Sequence, residues 1–79
     1  MSPTIHREGP YRFYFNSREE TRMHVHVEAP KGRAKFWLEP FVVLADFRGL
    51  RKHELNDIQR IVEENEEVFK HAWLEHFSG

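Results

Sequence analysis

Between Tyr11 and Glu39 three stretches of this chain alternate inward apolar with outward residues, Phe41 to Ala45 adds a continuous apolar run, and from Leu55 onward the apolar residues recur at helical spacing. A period of two is that of a half-buried strand, and a period of about 3.6 is that of an amphipathic helix. A chain of 79 residues has room for one domain, and one change of period divides it into a sheet part and a helix part. The expected fold is therefore α+β. A small antiparallel sheet of four to five strands occupies residues 1–48, and one long C-terminal helix over residues 50–78 packs on one face of it, within a single domain 1–79.

The strands follow from alternation and turn chemistry. Tyr11 to Phe15 places Tyr11, Phe13 and Phe15 on one side and Arg12 and Tyr14 on the other. Gly9-Pro10 turns the chain from an earlier short strand, Thr4 to Arg7. Met23 to Val27 sets Met23, Val25 and Val27 against His24, His26 and Glu28. Pro30-Lys31-Gly32 supplies a hairpin turn, and the return strand, Ala34 to Glu39, separates Ala34, Phe36 and Leu38 from Lys35, Trp37 and Glu39. Pro40 ends that strand, and Phe41 to Ala45 reads as an edge strand. The polar segment Asn16 to Arg22 reads as a loop.

In the last third, Leu55, Ile58, Val62, Phe69, Trp73 and Phe77 share one helical stripe, with Ile61 and Ala72 at its edge. Arg60, Glu64, Glu67, His71 and Glu75 lie opposite. Asn65 and Glu66 interrupt the stripe. Because its phase is kept across the gap, one helix is expected instead of two helices breaking near Asn65.

If the helix covers one sheet face, the other is left open. That second face carries Arg12, Tyr14, His24, His26, Glu28, Lys35, Trp37 and Glu39. Aromatic residues with polar tips, set among cations, are typical of interaction surfaces. The plainer alternative is a shielded face with Trp37 packed beneath arginine stems. Arg12, Tyr14, His26, Lys35 and Trp37 are the expected binding residues. A small partner protein or a second copy of the chain is the expected occupant, with the apolar edge strand near Phe41–Ala45 as a pairing template. Nucleic acid is the weaker alternative: aromatics and cations on a sheet do bind single strands, but no matching motif is present.

His24-Val25-His26 is the sharpest local signal. Two imidazoles two positions apart on a strand point the same way, about 7 Å apart. They are candidate metal ligands together with Glu28 or His6, and candidate general base and acid toward a phosphate. Paired strand histidines are also often structural. No metal site and no cofactor is expected, and an enzyme is the lesser expectation. A Gly-rich phosphate loop, an H-E-x-x-H helix and a nucleophile elbow are all missing. The chain has no cysteine, which excludes disulfides and thiolate chemistry. No apolar run is long enough for a membrane span and no signal segment opens the chain, so no membrane association is expected. The formal net charge is −1 but uneven: residues 1–50 carry a net of +2 and residues 51–79 a net of −3.

Ser2-Pro-Thr-Ile5, Met23-His-Val-His-Val-Glu28, Ala34-Lys-Phe-Trp-Leu-Glu-Pro40, Gly49-Leu50, Ile61-Val-Glu-Glu-Asn65 and Ala72-Trp73 together resemble a family of small bacterial proteins. That family is known as a domain of unknown function with a Pro-His-(Val/Phe)-His signature. The likeness covers nearly the whole chain. Met23 stands where many members have Pro, and Arg51 stands where a Ser often opens the helix. The resemblance implies a bacterial cytoplasmic protein encoded beside a second small gene, as one component of a toxin–antitoxin-type pair. It implies no catalytic residues; His24 and His26 carry over as signature positions only. A non-enzymatic binding module is thus the first expectation. An RNA-directed, toxin-like ribonuclease using His24 and His26 is the alternative, with metal binding as a third.

Overall fold

The computed structural model describes residues 4–16 and 22–77. Five strands come first: β1 (Thr4–Glu8), β2 (Tyr11–Tyr14), β3 (His24–Ala29), β4 (Gly32–Trp37) and β5 (Val43–Arg48). Two helices follow, α1 (Lys52–Glu64) and α2 (Glu66–Phe77). The strands form one antiparallel sheet in chain order, β1-β2-β3-β4-β5. β1 joins β2 through a tight turn at Gly9-Pro10, and β3 joins β4 through one at Pro30-Lys31, where turn residues stand. The segment between β2 and β3, expected as a loop over Asn16 to Arg22, lies outside the described residues from 17 to 21.

Strand alternation separates two faces. Phe13, Val25, Val27, Phe36 and Leu38 are fully buried on the helix side, with Ala34 beside them. They meet Ile58, Ile61 and Val62 from α1 and Phe69 and Trp73 from α2 in one apolar core. The helices cover one layer only, so the architecture is two-layered α+β, as the change of period requires.

The helical part corrects the expectation of one long helix. The structure has two helices, parted at Asn65. Asn65 leaves helical geometry at φ −111° and ψ 17°. Its backbone N–H is shared between the carbonyls of Ile61 (3.1 Å) and Val62 (3.2 Å), and its side-chain Nδ2 donates to the Ile61 carbonyl at 2.8 Å. A short amide side chain that competes for helix acceptors ends helices. No residue between Val62 and Phe69 is buried, so nothing anchors the rod across the gap. The stripe keeps its phase because α2 starts on the spot, with the Phe69 N–H bonded to the Asn65 carbonyl at 2.9 Å.

At the start of α1, Arg51 holds the N-cap position without an acceptor side chain. Glu54 compensates from inside the helix by accepting the Arg51 N–H at 2.8 Å, the reverse half of a capping box. Glu54 also faces β2. Burial, followed by the carboxylates of Glu54 and Asp57, pushes the Tyr11 phenol above its ordinary value of 10.0. The unfolded chain then ionises this phenol first, so its contribution to stability is complete below about pH 10 and is lost as pH rises through the folded value. In an alkaline titration of unfolding, Tyr11→Phe should shallow the decline above about pH 10; an unchanged profile would show that Tyr11 is not its source.

Gly49 links β5 to α1 at φ +72°, the left-handed region that favours glycine. A Cβ there would also overlap the Lys31 carbonyl, because this link passes directly over the β3–β4 turn. Gly49→Ala should therefore cost about 1–3 kcal/mol in urea unfolding, whereas Gly9→Ala, where a Cβ meets open space, should cost only the φ term.

Candidate functional site

Register fixes the open face as three cross-strand rows. Arg7, Arg12, Glu28, Arg33 and Arg48 form the first. Thr4, Tyr14, His26, Lys35 and Asp46 form the second. His24, Trp37 and Val43 form the third. The expected binding residues Arg12, Tyr14, His26, Lys35 and Trp37 thus share one surface, and each is half-buried.

Within these rows cations and rings alternate. The Arg12 guanidinium lies 4.6 Å from the Tyr14 ring centroid, and the Tyr14 and His26 rings stack at 5.4 Å with planes 21° apart. Arg12 is held from its other side, donating from Nε to Thr4 Oγ1 (2.6 Å) and pairing through Nη1 with Glu28 Oε1 (3.4 Å). Asn16 Nδ2 lies 3.2 Å from His26 Nε2. Trp37 lies under Arg22 at 4.2 Å and Lys35 at 4.5 Å, while Arg22 also donates to the Glu39 carbonyl. Trp37 is thus half-buried beneath an arginine stem, as the plainer alternative has it, with cation–π attraction holding the two together. Beside it, Tyr14, Asn16, His26, Lys35, Arg33 and Arg48 line a shallow concavity of ≈ 310 Å³, with Asp46 at its β5 side.

The paired histidines are not equivalent. His26 remains half-buried on the open face, but His24 is 0% exposed. Its strand position points outward, yet it stands at the end of β3, where Trp73 of α2 reaches around to within 4.9 Å of its ring. His26 (5.0 Å) and Trp37 (5.7 Å) enclose it further. Its Nδ1 donates to the Arg22 carbonyl at 2.6 Å, which fixes the proton on that nitrogen.

The candidate metal partners lie elsewhere. Glu28 is committed to Arg12 in the first row. His6 is on the helix side, 5.5 Å from Phe13 and 5.7 Å from Phe69, with Glu8 at 3.0 Å. A bulge between Thr4 and His6 flips it off the open face. Among the described residues, no group of three or more His, Cys, Asp or Glu is placed to hold a metal ion.

Five members of the surface were not among the binding residues expected from the sequence. Arg33 could have been, because it shares parity with Lys35. Asp46 and Arg48 could not, because the bulge in β5 opposite Lys35 and Phe36 offsets the alternation. Arg22 and Asn16 join through contacts that no periodicity encodes.

A family model for a domain of unknown function, DUF4160, matches residues 11–74. The chain belongs to that family. The DUF4160 span runs from the first residue of β2 into α2, and so contains β2 to β5, α1 and most of α2, with His24, His26 and Trp37, and leaves out β1 with Arg7. No match was found among curated proteins or among solved structures. No helix among the described residues is long and apolar enough to cross a membrane.

Proposed function

We propose that this DUF4160 protein is a non-enzymatic binding module that docks a small partner protein on its open sheet face, as one component of a bacterial, cytoplasmic, two-gene pair of toxin–antitoxin type. The observation that carries the docking reading is the charge and ring content of the three rows. Arg7, Arg12, Arg33, Arg48 and Lys35 stand against only Glu28 and Asp46 there, interleaved with Tyr14, His26 and Trp37. The helices carry the balancing acid, with seven carboxylates from Glu54 to Glu75. A near-zero net charge thus conceals a basic face, and such a face selects and steers an acidic partner. Tyr, Trp and Arg are the residues that dominate protein interfaces. The two-gene setting is supported by the family resemblance alone.

The ribonuclease reading requires two imidazoles presented together to a phosphate. The enclosure of His24 beneath Trp73 opposes that, and leaves His26 as a binding residue. The test is co-expression with the product of the neighbouring small gene. The intact chain should carry that product through purification, and Trp37→Ala should lose it while far-UV circular dichroism stays unchanged. Absence of co-purification with the intact chain would remove the reading.

A further inference from the structure

We propose that a second copy of this chain pairs with the free edge of β5, antiparallel and centred on Phe47, to join two sheets into one. This goes beyond docking on the open face and uses its β5 margin, where Asp46 and Arg48 belong to the open-face rows and Phe47 does not.

Two features of β5 are anomalous in a lone chain. Phe47 pairs with core residue Ala34, so it belongs to the helix side, yet it is 49% exposed. Arg48 stands directly opposite Arg33, and like charges in that position repel. Among the described residues neither guanidinium is in an ion pair. Among the described residues β5 is a sheet edge, paired with β4 alone, so its outer backbone groups form a template for another strand.

One antiparallel register answers both anomalies. With Phe47 opposite Phe47 of the second copy, position 46 meets position 48 on the outer face. Asp46 of each copy then faces Arg48 of the other. The rings of Phe47 meet on the helix side as a cross-strand aromatic pair. The bulge beside Ala45 blocks ladders that extend toward Val43, and Gly49 turns the chain away at the other end. The short segment between them leaves this register as the self-complementary one. Its two-fold axis is normal to the sheet, so both open faces look the same way.

The test is sedimentation equilibrium of the full chain over a concentration series. The intact chain should approach twice the monomer mass. Arg48→Asp sets acid against acid across the axis, and Asp46→Arg sets base against base. Each should lower the association constant at least about tenfold. An equimolar mixture of the two variants should recover the dimer, because each then supplies the charge the other lacks. The double exchange in one chain should also dimerise. A chain that remains monomeric throughout overturns the proposal, as does a dimer indifferent to the single exchanges or a mixture that stays monomeric. A dimer lost in Trp37→Ala and kept in both exchanges would place self-association on the open face, overturning β5 pairing while leaving the docking face standing.

Discussion

Trp73→Ala should lower the free energy of unfolding by about 3–5 kcal/mol, the usual cost of removing a large aromatic from a core. The ring sits 5.3 Å from Phe15, 4.2 Å from Phe77 and 4.9 Å from His24, so it closes the end of the sheet and also covers an imidazole. Its loss would leave a cavity and admit water to His24. A small domain has a total margin of only about 5–15 kcal/mol, and this chain is short enough to sit at the lower end. Leu74→Ala, one position along and 59% exposed, should change stability by no more than about 0.5 kcal/mol. Urea unfolding of the two variants measures the difference. Equal small losses would mean that α2 does not seal the sheet.

Trp37→Ala should produce the opposite pattern. The indole is on the open face, held by Arg22 and Lys35 and meeting buried residues through the His24 ring, so unfolding should be affected far less than in Trp73→Ala. Binding of the partner should fall about 30-fold or more, the loss of a ≥2 kcal/mol interface anchor. Raising salt should weaken binding by the intact chain, because the surrounding Arg12, Arg33, Lys35 and Arg48 act through charge. A Trp37→Ala variant with full affinity would remove the indole from the interface.

Much of this arrangement was legible in the sequence where period alone decides the outcome. Phe13, Val25, Val27, Phe36 and Leu38 turn inward as alternation requires, and Tyr14, His26, Lys35 and Trp37 turn outward. The turns stand where glycine and proline stand. What period cannot show is where an element ends and what reaches around that end. His24 has outward parity, but it lies at the first position of β3, and Trp73 covers it. Bulges defeat parity in the same way. One beside Thr4 moves His6 to the helix side, and one in β5 hides Asp46 and Arg48 from an alternation count. Asn65 divides the helix because a side-chain amide competes for the Ile61 carbonyl, a local contest that a stripe kept in phase conceals.

The chain has two tryptophans, and each reports one face: Trp37 the open side, Trp73 the side beneath α2. Their indole N–H resonances can be followed as the product of the neighbouring gene is titrated into the isotope-labelled chain. Docking on the cation–aromatic face predicts that the Trp37 signal shifts with occupancy while the Trp73 signal holds its position. A shift confined to Trp73, or binding that moves neither, would contradict it.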